Sequence, residues 1–565
     1  MTRAARPGSG LEPGVLVVLL VFTLASALAI NPYYYGTGDN SITIPFLKAS
    51  IDPGLYPGDY LLAQRPYYYT YLWDALGALH TRLGVDLPSL FFSTYLAALF
   101  LTFLGMYRIA VTLFGSREAA ILSLVFLVFS KSTLAGVQTV EGTLATRAVA
   151  TPLLLLAVVE FLRRNTVRSF LLLGLAYLVH PLTTHYVLTM LVVAGLVESR
   201  RRGLRSLAAG ISLFLLVSSP LLIWRFRHTP PSLHLFSADP EWLVALHERS
   251  PHHMFPSTWG WTTLAHVLVV LVLFGIAWWH RNRDREDRHR VIVIASAVIL
   301  AWCAFGVVGS ELRPVGLAFV SQPLRAFQFM EYFAMLYVAN DFYRRMAEAP
   351  RFVTALGATA IAGWIFFDAD RPVVAVLVLV AIAAWMTAGR RVLRRDLTGS
   401  AFLATAACVV GVAACACVPV DHANGDETFS LVDDIKPPWR DVQRWAQAHT
   451  EVRDAFIVPP DEPAEFRVHG ERTVYADRED GGLMNANPAF GTEWLRRMRM
   501  LGFAAPDRAK PDFCRLDPAQ ARRVAAEMKG THAKARVFLV WPCGGRLLPF
   551  REAYRNPAYV VYEVI

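Results

Sequence analysis

Residues 31–71 read NPYYYGTGDNSITIPFLKASIDPGLYPGDYLLAQRPYYYTY, a polar and aromatic stretch that sets Asp39, Asp52 and Asp59 among tyrosines, prolines and glycines. It follows the apolar run 14–30, which is long enough to cross about 30 Å of hydrocarbon at 1.5 Å per residue if its flanks contribute. Arg3 and Arg6 precede that run, so the N-terminus is expected inside and the stretch on the opposite face. Carboxylates so near a bilayer are either turn and cap residues, for which Asp-Pro and Gly-Asp are ordinary chemistry, or members of a site.

Working outward, the chain has 565 residues, 55% hydrophobic and 18% charged, with mean hydropathy +0.38. The apolar residues come in long blocks, the signature of a polytopic membrane protein. The net charge of +10 does not point to nucleic acid, because the basic residues sit in short clusters between apolar blocks, where membrane orientation requires them. Further runs lie near 88–113, 119–135, 148–162, 170–197, 207–224, 261–279, 291–309, 324–341, 352–367, 372–388 and 400–419. The block 170–197 contains His180-Pro181 and splits there into two short helices, giving about thirteen spans. The clusters at Arg117, Arg163-Arg164, Arg200–Arg202, Arg281–Arg290, Arg344-Arg345 and Arg390–Arg395 then all fall on the side of the N-terminus. An odd number of spans leaves the C-terminus outside.

The chain thus divides into a transmembrane domain, 1–420, whose first outward loop is 31–87, and a soluble extracytoplasmic domain, 421–565. In the second, helices are expected at 439–449, 493–502 and 518–528, with strands at 455–458, 472–476, 537–541 and 559–565, a small α/β layer. Cys303, Cys408, Cys415 and Cys417 lie in apolar runs and pass as small hydrophobes. Cys514 and Cys543 are the cysteines of the exported domain, where an oxidising compartment allows them to pair.

The outward loops hold Asp39, Asp59, Glu141, Arg147, Arg249, His252, His253 and Arg325, so both signs of charge collect on one face. Neither an internal repeat nor a carboxylate at the middle of a span stands out, which argues against a transporter. The pattern suits a substrate with an acidic head and a lipid tail. Sugar transfer from a lipid phosphate needs a carboxylate to take the acceptor's proton and cations to hold the departing phosphate, for which the planar fork of arginine is suited. Arg325, in SQPLRAFQF, sits at headgroup depth, and RSPHHMFPSTWGW brings Arg249, His252 and His253 to the same face. Asp368-Ala369-Asp370 reads as a solvated turn.

One helix, an outward loop with an early Asp, an acid in the next outward loop, about thirteen spans and an exported C-terminal domain resemble the GT-C superfamily of membrane glycosyltransferases. The resemblance is carried by GDNSITIPFLKASIDPGLYPGDYLL, TLATRAVATPLLLLAVVEFLRR, LAYLVHPLTTHYV, RSPHHMFP, QPLRAFQF, FIVPPDEPAEFRVHGERTVYAD and EWLRRMRML, similar to bacterial GT-C-like proteins of unassigned function. It implies that Asp39 is the base, with Asp59 as second choice. It also implies that Glu141, in TVEGTLATR, orients the donor or a divalent cation such as Mg or Mn. Glu141 stands alone where oligosaccharyltransferases carry two acids, so the metal is left open. The activity implied is transfer of a sugar from a polyprenyl-phosphate-linked donor to an acceptor at the outer face of the cytoplasmic membrane, with Arg147, Arg249, His252, His253 and Arg325 on the lipid phosphate. The competing readings are a transporter or flippase of lipid-linked glycans and a non-catalytic envelope scaffold.

Overall fold

The computed structural model describes residues 11–199, 203–348, 400–424, 437–460, 462, 465–502, 513–531, 535–542 and 546–564. The expected spans 352–367 and 372–388, the Asp368-Ala369-Asp370 turn and Cys543 lie outside the described residues. The chain is mainly helical, a multi-pass membrane fold with a small sheet domain at its C-terminal end.

Local signals set the helix limits. The Asp86 side chain accepts the Ser89 N–H at 2.9 Å and Pro88 occupies the first turn, which starts the helix Leu87–Phe114. The Ser116 hydroxyl caps the next helix, Arg117–Val128, by accepting from Ala119 N–H at 3.0 Å. Pro13–Ile30, Leu87–Phe114, Leu204–Arg227, Trp261–Trp279 and Glu286–Leu312 are long and apolar enough to cross a membrane, and Thr166–Val179 and Pro181–Val197 are shorter apolar helices joined at His180.

Two helices have stretches that are buried on every side. In Arg117–Val128 every residue from Ala119 to Val128 is buried, and Phe327–Asn340, the first part of the helix Phe327–Glu348, is buried on all faces. Trp261–Trp279 packs on the latter and turns most of its surface outward.

The first loop, 31–87, is itself built of helices, Asn40–Ile51 and Tyr71–Leu83. The C-terminal domain has five strands, β1 (Ala455–Ile457), β2 (Thr473–Val474), β3 (Val537–Trp541), β4 (Arg551–Arg555) and β5 (Val560–Val564), in the order β2-β1-β3-β5-β4. The first three neighbours are parallel and the last two pairings antiparallel. The helix Pro437–His449 buries Trp439, Val442 and Ala446 against Phe456, Val474 and Phe538 on one face. The other face shares a core with Pro488–Met500 and Pro518–Thr531. That core also takes in Ile42, Phe46 and Leu61 of the first loop and Trp242. The C-terminal domain is therefore joined to the first loop through one continuous apolar cluster.

Candidate active site

Asn31 ties the first loop to the second. Its Nδ2 donates to Ser26 Oγ at 2.8 Å and to the Val128 carbonyl at 2.6 Å, while its Oδ1 accepts the Ser130 N–H at 3.2 Å. The first helix therefore ends, through a π turn at Ser26–Ile30, beside the point where Arg117–Val128 gives way to loop. That helix stops seven residues short of the expected limit at 135, since Asn31 takes up its terminal carbonyl. The second loop folds back through a bridge between Ser132 and Gln138, and Tyr332 and Tyr95 donate to the Thr139 and Glu141 carbonyls at 2.8 and 2.7 Å. Tyr34 N–H completes the junction on the Gly142 carbonyl at 3.0 Å.

This junction brings Asp39, Glu141 and Arg147 together. The Arg147 guanidinium donates from Nε and Nη2 to the two Glu141 oxygens at 2.6 and 3.1 Å, and from Nη1 to Asp39 Oδ2 at 2.5 Å. The fork is thus shared between an acid of each loop. Glu141 and Arg147 are nearly covered, whereas the Asp39 side chain is 48% exposed and its Oδ1 has no protein partner among the described residues. Arg147 beside it holds the Asp39 carboxyl below the usual carboxylate range, with Arg325 acting in the same sense. Asp39 is ionised at neutral pH, with one oxygen held by Arg147 and the side chain half exposed.

Arg325 lies within electrostatic reach of Asp39, Arg147 and Glu141. Burial lowers its pKa, and its side chain makes no ion pair or hydrogen bond among the described residues; Nε is fully covered. A guanidinium left in this way next to a second one favours an anion at that place. His180, at the junction of two short helices, faces the same region: its Nδ1 is 2.8 Å from Thr146 Oγ1. Burial, reinforced by Arg147 and Arg325, pushes its pKa down to about 3, so it is neutral. In the sequence His180 reads only as a helix break, and its part in the site depends on contacts from three other segments.

The remaining candidates are placed as follows. His253 Nδ1 donates to the Ala135 carbonyl at 2.6 Å, and burial, with Arg325 nearby, lowers its pKa to about 3. The His252 ring lies tilted beside it, ring centroids 3.9 Å apart, and its pKa is lowered for the same first reason. Both are neutral neighbours of Arg325. Arg249 is 8% exposed and engaged elsewhere, donating to the Arg478 carbonyl at 2.6 Å and to Glu479 at 2.8 Å in the C-terminal domain. Asp59 is the clearest departure from expectation. Its side chain is fully buried; Oδ2 accepts from Arg467 Nε at 2.8 Å and Val474 N–H at 3.1 Å, and Oδ1 from Leu61 N–H at 2.9 Å. With both oxygens occupied it is a structural acid, and the structure does not bring it to the Asp39–Arg147 pair.

Among the described residues no group of three or more His, Cys, Asp or Glu side chains converges as a metal site. Asp39 and Glu141 are bridged by Arg147. Cys514 is disulfide-bonded, and Cys303, Cys408 and Cys415 are free thiols. The sequence also gave no warning of Glu331, a fully buried acid one turn into its span, held by His266 Nε2 at 2.8 Å.

Residues 437–501 match the family DUF6798, a domain of unknown function. A comparison with curated proteins found no match. Among solved structures, ArnT from Cupriavidus metallidurans bound to undecaprenyl phosphate is similar over 98% of this chain and 97% of its own, with TM-score 0.55 and 14% identity. Its apo state is similar over the same shares, with TM-score 0.53 and 14% identity. Along nearly its whole length, then, this chain has the fold of ArnT, with the first-loop acid, the second-loop acid and their shared arginine at the junction of the two loops.

Proposed function

We propose that this chain is a glycosyltransferase that moves a sugar from a polyprenyl-phosphate-linked donor to an acceptor at the outer face of the cytoplasmic membrane. The observation that carries the reading is the Arg325 guanidinium, without an anionic partner among the described residues and adjacent to the Asp39–Arg147–Glu141 group, in the fold of a protein solved with undecaprenyl phosphate. The orientation follows from the basic clusters on the side of the N-terminus.

In this reading the donor phosphate lies against Arg325. The acceptor O–H gives its proton to Asp39 Oδ1 as its oxygen bonds to the anomeric carbon, and the bond from that carbon to the phosphate oxygen breaks with its electron pair on the phosphate. Arg325 neutralises the charge that grows on the leaving group, which is where fixed donors lower a barrier most. Arg147 keeps Asp39 ionised and, by its two bonds to Glu141, fixed in direction. His253, neutral and tied to the Ala135 carbonyl, stands near Arg325 without adding charge.

The test uses membranes in which the host's own lipid-linked sugars are radiolabelled. Cells with the wild-type chain are expected to consume lipid-linked label and build a new glycosidic bond, and Asp39→Asn to leave the label on the lipid at normal abundance and thermal stability. Transfer by Asp39→Asn at the wild-type rate removes the base. Label crossing sealed vesicles without a new bond replaces the enzyme with a transporter.

A further inference from the structure

The C-terminal domain touches the first loop at intervals along its length, and the contacts around the Asp39 turn and the helix after it come from the short segment 465–480. At the start, the His469 ring lies edge-on to Tyr35 at 6.3 Å. A Cβ on Gly36 would stand 3.3 Å from His469 Nε2 and 3.6 Å from Val468 Cγ1. Gly36 has φ +95° and lies three residues before Asp39, so the helix Phe466–Gly470 forms the floor of the turn that carries the carboxylate. In the middle, Lys48 at the end of the helix that Asp39 begins donates to the Val468 carbonyl at 2.7 Å and to Glu471 at 2.6 Å. At the far end, Tyr56 hydroxyl donates to the Arg467 carbonyl at 2.7 Å and Asp59 accepts from its guanidinium.

Arg467 is the fixed point of this arrangement. Its side chain is 1% exposed and spends every nitrogen inside the protein: on Asp59, on Asp477 at 3.0 Å, on Asp480 at 2.8 Å and on the Val474 carbonyl at 3.1 Å. Three buried carboxylates around one guanidinium are an expensive way to gain stability, since desolvation cancels most of the attraction. What such a network provides is a single geometry, because each member is satisfied in one arrangement only. A lid that opens and closes would show exposed, sparse contacts with the loop. The contacts at Tyr56 and Asp59 are buried, that at Lys48 is part-buried, and they adjoin the apolar core shared by Ile42, Phe46 and Leu61.

We infer that the C-terminal domain positions the catalytic turn: the helix Phe466–Gly470, held by Arg467, fixes where Asp39 stands, and Arg467 is a positioning residue of the site. The functional half of this inference rests on the proposed role of Asp39 as base. The structural half stands on the contacts alone.

The test compares the full chain in lipid nanodiscs with Asp59→Asn and, separately, Lys48→Met. Asp59→Asn keeps the shape and cuts the cross-domain ion pair, while lowering the excess of buried negative charge. Lys48→Met cuts a second contact at a partly exposed position and guards against misfolding of the first variant. Hydrogen–deuterium exchange over 35–52 is expected to quicken at least about tenfold in both, with 437–501 as protected as in wild type. Turnover is expected to fall roughly 10- to 100-fold with the donor KM within about twofold, as for a reacting group displaced by about an ångström. Unchanged exchange over 35–52 in both variants overturns the clamp. Quickened exchange with wild-type turnover overturns the link to catalysis. Should Asp39→Asn retain transfer, the base assignment fails, and the exchange arm still decides whether the domain holds the turn.

Discussion

Replacing Arg325 by methionine separates a phosphate ligand from a helix anchor, because the two roles give opposite signs. The structure shows the guanidinium without a hydrogen bond or ion pair among the described residues, with Nε covered and Arg147 close by. Methionine fills similar length, removes a desolvated cation from beside another and breaks no bond, so the unliganded protein should unfold at the same temperature or higher. With undecaprenyl phosphate present the sign reverses. A charge-assisted contact to phosphate contributes about 1.5–3 kcal/mol, which weakens binding by roughly 10- to 150-fold when lost. At saturating lipid the ligand-induced stabilisation should shrink by the same amount, about 1.5–3 kcal/mol. The assay is thermal unfolding in detergent across a titration of undecaprenyl phosphate. Equal lipid stabilisation in wild type and Arg325→Met would refute the phosphate assignment. A loss of more than about 2 kcal/mol without lipid would show instead that Arg325 anchors its helix.

Two further predictions follow from buried contacts. Burial and the neighbouring Asp480 raise the pKa of Asp477 well above the usual carboxylate value. The folded chain then binds a proton that the unfolded chain has already lost, so this group's contribution to stability falls as pH rises above about 4 toward the raised value. Unfolding of the full chain followed over that window should show the fall, and Asp477→Asn should flatten it; an unchanged slope contradicts the prediction. Gly136 has φ +66°, and an added Cβ would collide with the His253 ring. Gly136→Ala should therefore destabilise the protein by at least about 1 kcal/mol from backbone strain alone and displace His253, measurable as a lowered unfolding midpoint, with an unshifted midpoint counting against it.

Much of the bundle was legible because hydrocarbon thickness imposes run length and the basic clusters give repeated checks on topology. His180-Pro181 marks a helix break that the structure shows between Val179 and Pro181. In the C-terminal domain β1, β2, β3 and β5 fall within a residue or two of the expected strands. β4, with the sequence REAYR, has no strand signature because its residues are mostly exposed and charged and lack an apolar alternation. The site was only half legible. Asp39 and Asp59 both follow a Gly in a turn-rich stretch, and nothing local separates a solvent-facing acid from one buried against Arg467, 408 residues away. Arg249 looked like Arg325 for the same reason, until the Glu479 carboxylate and the Arg478 carbonyl were found to occupy it. Glu331 is not legible as a buried ion pair because a single acid in an apolar run does not announce the histidine that holds it on another helix.

The most direct measurement is an experimental structure of the full chain with undecaprenyl phosphate added. The phosphate is expected within hydrogen-bond distance of the Arg325 guanidinium, on the side where Asp39 Oδ1 is open, with Arg249 still bonded to Glu479. Phosphate bound away from Arg325, or an Arg325 that swings to pair with a protein carboxylate while the lipid sits elsewhere, would contradict the proposed site.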